Sequence, residues 1–385
     1  MMKKILHMTP PDINNGVYRY IFNHMQYMDL QKYRFSFLTK NAEGLGKTEE
    51  FKKYGFQIHA LCNVERDNPD GLRNEVVRIL NEGYDAIHLH TSSWRGFMIE
   101  QVAMELKLPR VIVHSHSTGI DETDEKVRTE RLLQHNAYKE KFSMEYATDV
   151  CACSVLAGDW LFGEQIPRQV IQILPNAVDI QRYHFQPQVR EEKRRNMGLE
   201  DRIVIGNVGR YCYQKNQAFL LNAFSKAHRW NKKLFLLLIG QGELMQELKK
   251  QAKKLEIEKD VCFLGWQENI EDYLQVMDVF CLPSRFEGLA ISAIEAQTAG
   301  LSCILSDTIS KETALTDLVK FLPLDEEVWG EHILQYTDHF SREYRDNEIT
   351  EKGYDIRTAA RCLEEFYERK PGNDSRGIEH AAVKK

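Results

Sequence analysis

Short runs of aliphatic and β-branched residues alternate with amphipathic stretches along this chain, and the pattern is carried through twice. The runs fall near 4–8, 33–39, 56–60, 85–90, 110–114, 149–153 and 170–174, and again near 203–208, 234–239, 261–264, 278–282, 302–305 and 319–322. Runs of this length and composition predict strands, and intervening stretches such as Leu244 to Leu255 predict helices. Parallel strands need crossovers, and crossovers are mostly helices, so the alternation predicts α/β units with parallel sheets covered on both faces. The 385 residues suffice for two such domains. Pro175-Asn-Ala-Val-Asp179 and the charged segment Arg190-Glu-Glu-Lys-Arg-Arg195 have the composition of a connection and place the boundary near 180–200. The expected domains are 1–182 and 183–354, followed by a helical pattern at about 355–370 and a tail, 371–385, with too little apolar surface to fold.

Several function classes are excluded or disfavoured. Lys plus Arg number 51 against 57 for Asp plus Glu, a net charge of −6 without a basic face, which argues against a nucleic-acid binder. The apolar run Leu234–Ile239 is far too short to span a bilayer, and the N-terminus MMKKILHMTPPD lacks the apolar core of a secretory signal, so a cytoplasmic protein is expected. Eight cysteines without a C-x-x-C spacing read as reduced, mostly buried thiols.

In open α/β sheets, ligands bind beyond the carboxyl ends of the strands, so chemistry is sought in the loops there. Asn41-Ala-Glu-Gly-Leu-Gly-Lys-Thr48 resembles a P-loop but has Asn41 where the first glycine is required, and reads as a flexible glycine loop. Gly240-Gln-Gly242 lacks the third glycine of a dinucleotide fingerprint, Met245 standing in its place, and reads as a tight turn before a helix. His7, His88-x-His90 and His114-x-His116 lie at strand ends. Spacing of two puts each pair on one strand face, which suits a metal, but the neighbours Thr91, Ser92, Ser93 and Ser115 are not the carboxylates such a centre needs. The alternative is one buried member satisfied by backbone and one exposed at a rim, with His116 at that rim. Arg210 after a strand and Lys215 at a helix start can converge on one anion together with the turn's amides. In Pro283-Ser-Arg-Phe-Glu-Gly-Leu-Ala-Ile-Ser-Ala-Ile-Glu295, Glu287 belongs to a loop and Glu295 to a buried helix, where a carboxylate needs donors such as ligand hydroxyls.

Taken together, Asn14-Asn-Gly-Val17, His114-Ser-His116, Pro175–Asp179, Val208-Gly-Arg210 with Lys215, Phe263-Leu-Gly265 and the pair Glu287 and Glu295 resemble the retaining glycosyltransferases of family 4. The resemblance covers most of the chain. Glu295-Ala-Gln-Thr-Ala-Gly300 and Ser306-Asp-Thr-Ile-Ser-Lys-Glu312 are similar to the subgroup of bacterial exopolysaccharide and capsule assembly. It implies the GT-B fold of two Rossmann-like domains, with the C-terminal helix packed back on the first.

The resemblance further implies that Arg210 and Lys215 hold the diphosphate of a sugar nucleotide, UDP-linked. Glu287 and the amides of Gly288, Leu289 and Ala290 would face donor sugar and phosphate. Glu295 would take the ribose hydroxyls, Leu264 and Gly265 the base, Gly16 a close approach to the phosphates, and His116 the donor sugar. Asn15-Gly16 in place of a glycine pair, and Ala290, depart from the family pattern and leave the donor sugar open. No Asp-x-Asp occurs, so neither metal nor other cofactor is expected. The implied partner is a saccharide acceptor on a polyprenyl diphosphate, reached at the inner membrane face. The docking candidate is a helix near Val127 to Tyr146, where Arg128, Arg131, Lys139 and Lys141 lie among Leu132, Leu133, Tyr138 and Phe142, although glutamates are interleaved. The competing classes are a non-catalytic sugar-nucleotide-binding partner and a nucleotide-sugar epimerase of the same fold.

Overall fold

A computed structural model describes residues 2–12, 16–336, 342 and 344–371. Asn14 and Asn15 of the first motif, and the expected tail from 372 onward, lie outside the described residues. The structure divides into two compact units. One comprises 1–120, 125–177 and the chain from Ile356 on, and the other 178–355 with the short segment Asp121–Asp124. The crossover thus comes after Ala177, five residues before the expected boundary, and 121–124 is an excursion that nothing in its composition marks.

The first unit carries β1 (Lys3–Met8), β2 (Tyr33–Thr39), β3 (Gln57–Ala60), β4 (Ala86–Thr91), β5 (Val111–Ser115), β6 (Asp149–Ala152) and β7 (Gln172–Ile173). All are parallel, in the order β3-β2-β1-β4-β5-β6-β7. The second carries β8 (Ile203–Val208), β9 (Leu234–Ile239), β10 (Val261–Gly265), β11 (Val279–Leu282), β12 (Ser302–Ser306) and β13 (Val319–Leu322), also parallel, in the order β10-β9-β8-β11-β12-β13. These are two Rossmann-like sheets. Strand order reverses between β1 and β4 in one sheet and between β8 and β11 in the other, and such switch points open crevices at the strands' carboxyl ends.

Each unit has its own core. In the second, Ile205, Leu236, Leu238, Val279 and Ile304 of the sheet meet Leu220, Leu221 and Phe224 of the helix Gln217–Trp230. In the first, Ile5, Phe35, Phe37 and Ile112 are covered by the helix Gly16–Met25 and by Leu363, Phe366 and Tyr367. The last three come from the helix Ile356–Glu368, whose buried positions 356, 359, 360, 363, 366 and 367 recur at helical spacing. Each large apolar side chain buried there contributes about 1.5–3 kcal/mol.

Three local expectations need correction. The P-loop-like segment is not a flexible loop: Ala42–Gly46 is helical, and Asn41 caps it by accepting from the Gly44 amide at 3.0 Å. The basic helix runs over Glu125–Lys139 and stops there. Lys141 and Tyr146 lie beyond its end, and Phe142 is buried against Trp94, with ring centroids 4.7 Å apart. Finally, Lys215 does not open a helix but precedes one, two residues before Gln217.

Candidate active site

In the second unit, the loops after β8 and β11 flank the switch point. Asn207, near the end of β8, is buried and donates to the Cys281 carbonyl of β11 at 2.7 Å. Gln217 donates to Asn207 at 3.3 Å and to the Arg210 carbonyl at 3.0 Å, which pins the loop from its helix end. Between them Asn216 has φ 55°, a left-handed backbone that Asn tolerates better than most residues. Its side chain donates to the Pro283 carbonyl at 3.2 Å. The loop also depends on Gly240 and Gly242. A Cβ on Gly240 would lie 2.0 Å from the Gly209 oxygen, and one on Gly242 2.3 Å from the Tyr211 oxygen. The two glycines therefore let the turn after β9 lie directly against the backbone carrying Arg210.

Glu287 is 5 % exposed and accepts hydrogen bonds from Lys215 Nζ at 2.7 Å, Ser284 Oγ at 2.7 Å and Gln214 Nε2 at 2.9 Å. A buried carboxylate survives ionised only with such donors. Arg210 forms an ion pair with Asp121, whose other oxygen accepts from the Gln214 amide at 3.0 Å. The structure therefore brings Arg210, Gln214, Lys215 and Glu287 together on two loops, with a carboxylate on each cation. Asp121, Gln214 and Ser284 escaped the sequence reading. Gln214 and Ser284 sit inside the quoted motifs, whereas Asp121 lies 89 residues from Arg210 and gives no local signal.

Glu295 lies in the helix Ile291–Thr298 and is 1 % exposed. Its Oε1 accepts from Tyr183 Oη at 2.8 Å. The donor that a carboxylate in this helix needs, for which the sequence suggests ligand hydroxyls, is thus supplied in part by a tyrosine of the segment Ile180–Tyr183. Gly288, Leu289 and Ala290 form the buried approach to that helix. Leu264 and Gly265 end β10 at a register shift, with Gly265 at φ 80° and open space where its Cβ would be. The Leu264 carbonyl accepts from Gln267 at 3.2 Å.

In the first unit Gly16 opens its helix, and a Cβ there would meet nothing within 4 Å. Protein packing therefore does not require glycine at this position. Tyr20, one turn on, packs on His114 and His116, with ring centroids 5.0 Å apart in each case. His116 follows β5 directly and is partly exposed, while His7, His88, His90 and His114 are buried. The backbone-satisfied pair expected from the sequence is not what forms. His90 bonds His7 at 3.0 Å and His116 at 2.8 Å, and His88 bonds His114 at 3.1 Å, ring nitrogen to ring nitrogen. Burial lowers the His7 and His116 pKa to about 3 and holds His88, His90 and His114 well below the ordinary value. Two triples, His7 with His88 and His90 and His90 with His114 and His116, bring their nitrogens within 4.8 Å, but among the described residues neither includes a carboxylate or thiolate.

Residues 189–320 match the family described as glycosyl transferases group 1. A Bacillus subtilis protein named as a glycosyltransferase, EpsF, is 30 % identical over 378 residues, 95 % of this chain and 96 % of its own length. An Escherichia coli UDP-Gal:alpha-D-GlcNAc-diphosphoundecaprenol alpha-1,3-galactosyltransferase is 25 % identical over 312 residues, 79 % of each chain. Among solved structures, Anabaena HepE in complex with UDP and glucose superposes with a TM-score of 0.68 at 16 % identity, covering 96 % of this chain and 95 % of that one. That likeness shows the shared GT-B fold.

Proposed function

The chain is a glycosyltransferase that belongs to the group 1 family, and on that premise we propose that it moves a sugar from UDP, with retention at the anomeric carbon and without a metal, to a saccharide on a polyprenyl diphosphate. The observation that carries this reading is the Glu287 cluster at the β8/β11 switch point, which holds Lys215 in place with Arg210 on the same loop. When the bond between the anomeric carbon and the donor phosphate breaks, negative charge collects on the leaving diphosphate. Lys215 and Arg210 stabilise that charge from positions their carboxylate partners already fix, each cation turning toward the phosphate oxygens. The acceptor hydroxyl attacks from the face the diphosphate leaves, and its proton passes to a phosphate oxygen, so no protein nucleophile is needed. Glu295, oriented by Tyr183, takes the ribose hydroxyls.

The polyprenyl-diphosphate acceptor is supported by the name of the Escherichia coli relative, and the UDP donor by that name and by the ligand of the Anabaena structure. A role in bacterial surface polysaccharide synthesis agrees with the subgroup resemblance. Such an acceptor requires a visit to the inner membrane face. Among the described residues no helix is long and apolar enough to cross a membrane, but Glu125–Lys139 carries Arg128, Arg131 and Lys139 beside Leu132 and Leu133, which are 38 % and 67 % exposed.

A screen of UDP- and GDP-sugars by thermal unfolding tests the reading, because a ligand at 100 times its Kd adds about 2.7 kcal/mol. One UDP-sugar is expected to raise the midpoint and to be consumed with an unchanged rate in EDTA. A protein stabilised by no nucleotide sugar, or one that EDTA silences and manganese restores, overturns it.

A further inference from the structure

Five imidazoles and a phenol of the first unit form one hydrogen-bonded line. From the strand exit inward, His116 Nε2 meets His90 Nδ1 at 2.8 Å, and His90 Nε2 meets His7 Nδ1 at 3.0 Å. His7 Nε2 lies 3.5 Å from Tyr367 Oη, the longest link, and Tyr367 Oη is 2.7 Å from His88 Nδ1. His88 Nε2 then meets His114 Nδ1 at 3.1 Å. The fold makes this line possible because β1, β4 and β5 are neighbours, with His7 paired to His88 and His90 to His114 in register. The helix Ile356–Glu368 delivers Tyr367 to the same face.

The nitrogen-to-nitrogen distances are those of N–H···N bonds. Among the bonded pairs, His7 with His90 lies at 13° between planes and His88 with His114 at 16°, with centroids 5.3 Å apart in both, while His90 and His116 are tilted by 38° with centroids 5.0 Å apart. His88 and His90, neighbours on one strand, stack with centroids 4.3 Å apart. Two nitrogens sharing a tetrahedral zinc at about 2.0–2.1 Å each would stand about 3.3 Å apart, farther than any of the three imidazole–imidazole links, at 2.8, 3.0 and 3.1 Å. A divalent ion among neutral ligands alone would also sit uncompensated in the core.

Burial keeps the five imidazoles neutral, so each carries one N–H, and the phenol carries one O–H. Six hydrogens therefore serve five links, and one is left over at an end. At the inner end His114 Nε2 is buried with no partner among the described residues, while at the outer end His116 is partly exposed. A buried donor without an acceptor is destabilising, and orphan donors are rarer than orphan acceptors. The spare hydrogen thus belongs at the outer end.

We propose that His90, His7, Tyr367, His88 and His114 are positioning residues that hold His116 in its Nδ1–H tautomer, making it a hydrogen-bond donor at the exit of β5. That this N–H meets a sugar hydroxyl or phosphate oxygen rests on the function proposed above, whereas the tautomer does not.

Nitrogen-15 NMR of the full chain labelled at histidine tests it, with His116 assigned by the signals lost in His116→Gln. In the wild type His116 is expected protonated at Nδ1 and bare at Nε2. Tyr367→Phe keeps the buried ring and removes the middle link, so both tautomers of His116 are expected, with kcat lowered severalfold and donor KM unchanged. An Nε2–H tautomer in the wild type overturns the proposal, as does stoichiometric zinc in the purified protein or a Tyr367→Phe variant with the wild-type tautomer and kcat. Should Tyr367→Phe fail to fold, the wild-type spectrum decides alone. A His116→Ala variant with full transfer activity would remove His116 from the reaction while leaving the tautomer result standing.

Discussion

Lys215 Nζ stands 2.7 Å from Glu287 Oε1, across two loops that follow neighbouring strands, β8 and β11. Both side chains are largely shielded, at 17 % and 7 % exposure, so the pair is at once a structural joint and a place where positive charge is fixed. The cation is held before any donor arrives.

Lys215→Ala is expected to lower kcat by about 10²–10³, and Arg210→Ala similarly, because each charge acts on the leaving diphosphate. The two differ in stability. Lys215→Ala strands a buried carboxylate and is expected to destabilise by about 3 kcal/mol, whereas the Arg210–Asp121 pair is more exposed and its loss costs less. Turnover with labelled donor and urea unfolding check both. Near-normal kcat in the two variants would remove the site assignment.

Glu295→Gln keeps volume and loses charge-assisted bonds, so a raised donor KM with a smaller change in kcat is expected. Tyr183→Phe removes the 2.8 Å bond that orients Glu295 and is expected to shift donor KM the same way, by less than tenfold. An unchanged donor KM in Glu295→Gln would make that residue structural.

Gly240→Ala places a Cβ 2.0 Å from the Gly209 oxygen at a backbone φ of 144°. A destabilisation of about 2–4 kcal/mol is expected, with weaker nucleotide binding because the displaced loop carries Arg210. Wild-type UDP affinity, read by calorimetry, would separate that loop from the donor site.

Acid is expected to loosen the first unit. His7, His24 and His116 have folded pKa values near 3, 4 and 3, below the ordinary 6.5, because burial disfavours their charged forms. Their contribution is complete above pH 6.5 and is lost as pH falls toward 3, at up to about 1.4 kcal/mol per pH unit for each group. Glu100, raised to about 7 by burial, works in the opposite sense, but it is a single group. Urea unfolding at pH 7, 6 and 5 should show a steep decline, and a flat profile would contradict it.

Co-sedimentation with anionic liposomes at low salt checks the helix Glu125–Lys139. The wild type is expected in the pellet, and a variant with Arg128, Arg131 and Lys139 all changed to Gln in the supernatant. Equal pelleting of both would remove this helix as the anchor.

All thirteen strands are legible in the sequence to within two residues or so, because most are short aliphatic runs bounded by polar turns, the central ones buried on both faces and edge strands such as β3 and β13 only in part. Arg210, Lys215, Glu287 and Glu295 are legible because they sit in loops and a helix adjacent to such runs. The partners are not. Asp121, Tyr183 and Tyr367 lie 89, 112 and 279 residues from the groups they bond, and only the folded chain brings them there. The histidines were misread for the same reason: periodicity puts His88 and His90 on one face of β4, but nothing local says that β1 and β5 lie on either side with imidazoles in register.

The helix Ile356–Glu368 has a consequence for how the protein comes into being. Synthesis proceeds from the N-terminus, so strands β1 to β7 leave the ribosome before all of the second unit but 121–124, yet Leu363, Phe366 and Tyr367 complete their core. The second unit, apart from 121–124, is continuous in sequence and needs nothing translated after Asp355. The unit translated first is therefore finished last, and a message cut short before codon 356 yields a chain with an apolar face left bare for chaperones and proteases to find.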